Sequence, residues 1–269
     1  KLNTNDLKRF AQQARIKLID QITAKLDQVL NTESAELIEK TEELKNLREA
    51  INKEGREQII DKVAYTWFNR LVALRFMDVN DFQPLGIRGV SPLDGETLPE
   101  LLQQVRRGII PDELPVNKQK INDLLLNRIT SDHPQEEVYR MLLVGSCNHL
   151  HQIFPFLFER IHDYSELLLP DDLLSQHSIL EDIRQGMSME DCQEVEILGW
   201  LYQFYISERK ESLGDSIVSK EDIPAATQLF TPRWVVEYMV QNTVGKLWLQ
   251  NRPNSQLRKH MPYYIDSPV

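Results

Sequence analysis

Residues 59–77 read Ile-Ile-Asp-Lys-Val-Ala-Tyr-Thr-Trp-Phe-Asn-Arg-Leu-Val-Ala-Leu-Arg-Phe-Met, the most apolar helical pattern in the N-terminal half of the chain. Apolar residues recur here every three or four positions, which predicts an α-helix. They are Ile59, Ile60, Val63, Ala64, Trp67, Phe68, Leu71, Val72 and Phe76. Because so wide an apolar stripe must be buried on more than one side, other helices are expected to surround this one.

Helical periodicity continues along most of the chain. The face formed by Leu7, Phe10, Ala14, Leu18, Ile22, Leu26 and Val29 predicts a long first helix. Similar patterns predict helices near residues 37–51, 98–106, 118–128, 136–151, 194–210 and 232–249, and Gly55 separates the second helix from the third. Pro170, followed by Asp171 and Asp172, predicts a further helix start. With only 10 Gly in 269 residues, a turn-rich β protein is disfavoured, and the predicted fold class is all-α.

Composition and charge change along the chain and predict its organisation. The net charge is −10; residues 131–224 hold 19 acidic and 6 basic residues, whereas residues 225–269 hold 2 acidic and 5 basic residues. We expect a helical bundle over 1–78, a Pro/Gly-rich loop excursion over 79–116, an acidic helical subdomain over 117–211, a linker over 212–224 and a separate segment over 225–269. An acidic surface repels phosphates, so residues 131–224 are expected to face away from any bound DNA.

Several protein classes are disfavoured by residues that are scarce. Two Cys are too few for a disulfide framework and indicate a reducing, cytoplasmic location. The sequence contains no run of 18 apolar residues, so no membrane span is predicted. Cys147 and His151 have the i, i+4 spacing of helical metal ligands, but zinc sites need three or four ligands, so no metal site is predicted.

The segment Gln228-Leu229-Phe230-Thr231-Pro232 precedes the last predicted helix. The Thr231 hydroxyl is expected to cap this helix, and Pro232 suits its first position. A helix start alone would explain these residues. However, Gln-x-Phe-Thr-Pro followed by an apolar helix resembles the segment that precedes the catalytic core of N6-adenine DNA methyltransferases. In those families it walls the S-adenosylmethionine pocket, so the resemblance implies Phe230, Thr231 and Pro232 as cofactor contacts.

Three blocks in order, residues 61–77, 198–206 and 228–249, resemble the PglX family over a region from Leu7 to Tyr264. PglX proteins are the adenine-specific methyltransferases of BREX phage-defence systems. The resemblance implies a parent enzyme that transfers a methyl group from S-adenosylmethionine to adenine N6 and so marks self DNA. It implies double-stranded DNA and other BREX defence proteins as partners, with a phage-encoded inhibitor as a further candidate.

Two motifs that such an enzyme needs are absent from the sequence. There is no Gly-x-Gly turn for the cofactor, and no Asn-Pro-Pro-Tyr/Phe motif to hold a flipped adenine. We therefore expect an inactive, all-α N-terminal fragment that ends in the helix preceding an α/β methyltransferase core, with the core outside this chain.

Basic residues suggest where DNA phosphates would contact this chain. The candidates are Arg106, Arg107, Arg70 and Arg75, although basic pairs on a surface are more often simply solvated. Two other interpretations stay open. One is a helical interaction module that binds defence-complex partners or a DNA-mimic inhibitor, and the other is the N-terminal part of a fused restriction–modification methyltransferase, which shares the Gln-x-Phe-Thr-Pro segment.

Overall fold

Helices account for all the regular secondary structure in the computed structural model, which describes residues 2–31, 40–155, 158, 164–213 and 229–266. Over those ranges no strand is present, so the all-α prediction is confirmed. The chain divides into two compact units, Lys1–Glu208 and Arg209–Val269.

The first unit contains seven complete α-helices and the start of an eighth within the described ranges. They are α1 (Thr4–Asn31), α2 (Thr41–Glu54), α3 (Arg56–Val79), α4 (Glu100–Arg106), α5 (Lys118–Leu125), α6 (Pro134–Ile153), α7 (Ile179–Gly186) and α8 (Glu196–Leu213). Gly55 lies between α2 and α3 with φ of 93°. This left-handed backbone favours glycine, which explains the break predicted there.

The centre of the first unit is α3. Trp67 and Phe68 are fully buried, and apolar residues on several faces of the helix are buried with them. Helices α1, α2 and α7 pack against α3, which confirms that it is covered on more than one side. The indole N–H of Trp67 donates to the carbonyl oxygen of Ser165 at 2.9 Å, so the ring's polar atom is also satisfied inside the core.

One hydrophobic core joins segments that are distant in sequence. Helix α1 buries the face predicted for it, with Phe10 only partly buried, and it packs on both α3 and α7. Arg15 on α1 also pairs with Asp61 on α3 at 3.0 Å. The predicted bundle over 1–78 thus shares its compact unit with most of the acidic segment over 117–211. The domain boundaries stay predictions, and the linker over 212–224 lies almost entirely outside the described residues.

The loop after α3 is ordered around the buried carboxylate of Asp78. This carboxylate accepts hydrogen bonds from the backbone N–H groups of Gly89, Val90 and Ser91 at 2.7–2.9 Å and from the Gln83 side chain at 2.6 Å. Burial raises the pKa of Asp78, although hydrogen bonds from Val90, Gly89, Ser91 and Gln83 act in the opposite direction. One carboxylate therefore satisfies three loop N–H groups that water does not reach.

The prediction that a helix starts at Pro170 is wrong. The backbone after it forms turns, and α7 begins only at Ile179, where the Ser178 hydroxyl caps the helix. Asp171 instead forms ion pairs with Lys25 at 2.6 Å and with Arg140 at 2.7 Å. Contacts with other helices therefore determine its position, rather than the dipole of a helix of its own.

Apart from the last residues of α8, over 209–213, the second unit is described from residue 229. It contains α9 (Arg233–Val240), a π-helical turn (Gln241–Gly245), α10 (Lys246–Asn251) and a 3₁₀ turn (Gln256–His260). The sequence predicts one regular helix over 232–249. The helical path is confirmed, but the π turn in its middle gave no sequence signal.

Candidate functional site

The predicted cofactor segment lies at the N-terminus of α9. Pro232 is the N-cap residue, with φ of −57° and ψ of 145°, and its carbonyl accepts from the N–H groups of Val235 and Val236 at 3.0 and 3.3 Å. No side chain caps the helix. The predicted cap by Thr231 is therefore wrong, because Pro232 occupies the cap position and leaves Thr231 one residue outside the helix.

This arrangement has the chemistry of an anion-binding helix terminus. The first N–H groups of a helix have no partners within it and lie at the positive end of its dipole. Beside them, Phe230 is half-buried and Thr231 is exposed. Arg233 pairs with Glu237 at 2.7 Å along the helix. The three predicted cofactor residues are brought together simply because they are consecutive, and whether they contact a cofactor stays a prediction.

The rest of this helical segment exposes many apolar side chains on more than one side. Over half of the surface of five of them is solvent-accessible: Trp234 at 56%, Met239 at 58%, Val240 at 52%, Val244 at 68% and Leu247 at 61%. So many exposed apolar side chains on one helical segment indicate an interaction site. We call these five residues the apolar surface of the second unit.

Two of the predicted DNA contacts are accessible. Arg106 ends α4 and Arg107 follows it, and both are exposed. Together with Glu96, Thr97 and Gln103 they line a pocket of about 480 Å³. The DNA contact stays a prediction for this pair.

The other two predicted DNA contacts, Arg70 and Arg75, are buried in α3, only 5% and 8% exposed. The Arg70 guanidinium lies 5.2 Å from the centre of the Trp67 ring. Arg75 donates to the carbonyl of Met187 at 3.2 Å and to the hydroxyl of Ser91 at 2.8 Å, and burial lowers its pKa. The structure thus argues against phosphate contacts by these two residues, because they hold the core of the first unit together.

Sequence reasoning missed a cavity of about 880 Å³ between the loop after α3 and α7. Its lining includes Arg75, Arg88 and Arg184, and also the acidic residues Asp78 and Glu181. Arg184 already bonds to the carbonyl of Thr97 and pairs with Glu181. The mixed charge favours neither anions nor cations. No local sequence signal could have indicated this cavity, because its walls come from distant segments.

The described ranges also bear on metal binding and membranes. They contain no group of three or more His, Cys, Asp or Glu side chains that could hold a metal ion. Burial raises the pKa of the Cys147 thiol to about 12, so it is not a reactive thiolate. No helix described here has the length and apolarity required to span a membrane.

The chain has two curated relatives that share much of its length. It is 41% identical over 287 aligned positions to the adenine-specific methyltransferase BrxX of Escherichia coli O9:H4 (strain HS), with 98% of this chain aligned. It is 34% identical over 198 positions to the adenine-specific methyltransferase PglX of Lacticaseibacillus casei (strain Zhang), with 71% of this chain aligned. The aligned regions span only 23% and 16% of those proteins, respectively. No protein-family model matches the chain.

Proposed function

Since this chain is homologous to part of the PglX-type adenine-specific methyltransferases, we propose that it is the N-terminal portion of such an enzyme. The enzyme transfers the methyl group of S-adenosylmethionine to adenine N6 in DNA, and in a BREX phage-defence system this marks the host's own DNA. The observation that carries the proposal is the 41% identity to BrxX across 98% of the chain.

The start of α9 supports a role in holding the cofactor. A helix N-terminus that no side chain caps suits the carboxylate of S-adenosylmethionine. An aromatic ring next to it, Phe230, can cover the positively charged sulfonium, an interaction of about 0.5–2 kcal/mol. The residues of this chain would bind and orient the cofactor, whereas the groups that hold the target adenine would lie in the remainder of the protein.

The apolar surface of the second unit supports the same placement. A helix whose apolar side chains are more than half exposed is stable only if something covers it. The relatives are several times longer than this chain, so the parent protein would supply a covering domain. We propose that the methyltransferase core packs on this surface.

Activity is tested by methyl transfer to DNA from radiolabelled S-adenosylmethionine. The full-length protein should methylate DNA, and residues 1–269 alone should not, because they lack the Asn-Pro-Pro-Tyr/Phe motif. Turnover by the fragment, or none by a folded full-length protein supplied with its partners, would contradict the proposal.

The cofactor contact is tested by Phe230→Ala in the full-length protein. Calorimetry should show S-adenosylmethionine binding weakened about three- to thirtyfold, because 1.4 kcal/mol corresponds to a factor of ten. Tyr238→Ala is the control, since it removes an exposed aromatic ring from the same helix away from its N-terminus. Equal affinities for Phe230→Ala and wild type, with unchanged melting temperature, would show that residues 228–232 only start a helix.

The DNA contact is tested by reversing the charge of Arg106 and Arg107 together in the full-length protein. If both contact phosphates, the slope of log affinity against log salt should fall by about two, because each contact contributes about 0.9. The control reverses Arg9 and Arg128, which are also exposed. An unchanged slope would place the DNA surface elsewhere.

A second candidate function, a helical interaction module without a cofactor role, is favoured by the net charge of −13 over residues 131–224. Such a region repels DNA and suits a basic protein partner. Salt-sensitive capture of another defence protein by the full-length enzyme would support this function. A variant with reversed charges in this region should still methylate DNA normally.

A further inference from the structure

The π turn Gln241–Gly245 presents two amide side chains to the segment that follows the 3₁₀ turn. The Gln241 side-chain oxygen accepts from the backbone N–H of Tyr263 at 2.7 Å. The Asn242 side-chain oxygen accepts from the N–H of Ile265 at 2.8 Å, and its nitrogen donates to the carbonyl of Tyr263 at 2.7 Å. Two consecutive amides thus form three short hydrogen bonds with a backbone about 20 residues later.

The stretch that these bonds hold begins with a turn, in which the N–H of Tyr264 donates to the carbonyl of Met261 at 3.3 Å. The groups bonded by the two amides belong to residue 263, within the turn, and residue 265, after it. The two amide side chains thereby satisfy backbone groups that belong to no helix or strand.

A close packing contact holds the base of the same segment. Met261 is buried against Gly245, and a Cβ atom added at Gly245 would lie 2.6 Å from the methionine methyl carbon. Because Gly245 has no side chain, the Met261 side chain can approach the helix backbone closely. The packing contact and the three hydrogen bonds therefore act on one short stretch, residues 261–265.

The π turn is a further reason to assign these contacts a functional role. Such turns are rare and are frequently found at functional sites. Asn242 also bonds to the carbonyl of Tyr238, four residues earlier, as many helical asparagines do. Asn251 makes the same i−4 bond to Leu247 without a hydrogen bond to the described residues 261–265, so the i−4 bond alone does not explain the arrangement.

We infer that Gln241 and Asn242 are positioning residues, an amide latch that fixes residues 261–265 to the helical segment that follows Phe230–Pro232. The latch holds the proposed cofactor contact and the segment after the helix as one rigid piece. Neither amide needs to touch the cofactor, because each acts through the backbone that it holds. This inference rests on the proposed function for its effect on cofactor binding, but not for the latch itself.

Hydrogen exchange in the full-length protein tests the latch directly. Asn242→Ala should speed exchange of the Ile265 amide about tenfold, because that amide loses its acceptor. Asn242→Asp keeps this acceptor, so Ile265 should stay protected while the bond to the Tyr263 carbonyl is lost. Asn251→Ala, the matched control, should leave the exchange rates of the Ile265 and Tyr263 amides unchanged. Unchanged Ile265 exchange in Asn242→Ala would overturn the latch. If that variant does not fold, Gln241→Ala should speed exchange of the Tyr263 amide, which loses its acceptor, and unchanged Tyr263 exchange would overturn the latch equally.

Steady-state kinetics with the same variants test the positioning role. Asn242→Ala should raise the KM for S-adenosylmethionine about threefold to tenfold and leave the KM for DNA unchanged, whereas Asn251→Ala should match wild type. If Phe230→Ala weakens cofactor binding but Asn242→Ala changes only the exchange rate, the positioning role is overturned and the proposed function stands. If neither variant affects the cofactor, the proposed cofactor contact fails and the positioning role fails with it.

Discussion

Helix α3 and the helical segment over residues 233–251 have similar apolar patterns but opposite environments. In α3, Trp67 and Phe68 are fully buried beneath helices α1, α2 and α7. In the second unit, Trp234 and Leu247 are more than half exposed. The comparison shows that an apolar pattern indicates a surface that must be buried. The pattern does not say whether this chain or another part of the protein buries it.

The two regions also differ in what stabilises them. The first unit relies on apolar burial, with aromatic contacts such as Phe68 against Tyr205 at 4.4 Å between ring centres. The second relies on local polar contacts: the amide latch, the Trp248 indole N–H donating to Ser255 at 3.1 Å, and Arg258 paired with Asp266 at 3.1 Å. Exposed ion pairs each contribute little, about 0–1 kcal/mol. The second unit should therefore be the less stable of the two.

The largest effect is expected for Trp67→Ala. Truncating a fully buried aromatic residue costs about 3–5 kcal/mol of unfolding free energy. The carbonyl of Ser165 also loses the indole as a hydrogen-bond donor. Urea denaturation of the full chain measures this loss. A loss below about 1 kcal/mol would mean that α3 is not the centre of the core.

A smaller loss is expected for Asp78→Asn. The amide nitrogen would face backbone N–H groups and could accept from none of them, leaving buried donors unsatisfied at a cost of about 1–3 kcal/mol. Asp94→Asn, in the exposed part of the same loop, should stay within about 0.5 kcal/mol of wild type. Equal stability of the two variants would show that the loop does not depend on the Asp78 carboxylate.

The smallest effect is expected for Trp234→Ala in this 269-residue chain. The side chain is 56% exposed, so its removal should change the unfolding free energy by less than about 1 kcal/mol. Fluorescence of a hydrophobic dye bound to the chain should fall, because part of the apolar surface is lost. A loss comparable to that of Trp67→Ala would show that the chain itself covers this helix, and the contrast between the two regions would disappear.

Features that depend on neighbouring residues could be predicted from the sequence. Hydrophobic periodicity located α1, α3 and the helical path over 232–249, and three sequence blocks indicated a family with a relative that aligns with 98% of the chain. The failures involved competition between local signals and distant contacts. Pro170 looked like a helix start, but Asp171 is held by Lys25 and Arg140. At residue 232 two local signals competed, and the proline took the cap position expected for Thr231.

The sequence by itself determined the helical class, the burial of α3 and the likeness to adenine-specific methyltransferases, because periodicity and motifs are written in adjacent residues. Only the tertiary structure decided which charged groups are buried and which apolar ones are exposed. Arg75 lies against Met187, and Gln241 contacts Tyr263, through contacts between residues far apart in the chain. Such contacts depend on how the helices pack, and the sequence pattern of a single helix does not specify which helices pack against it.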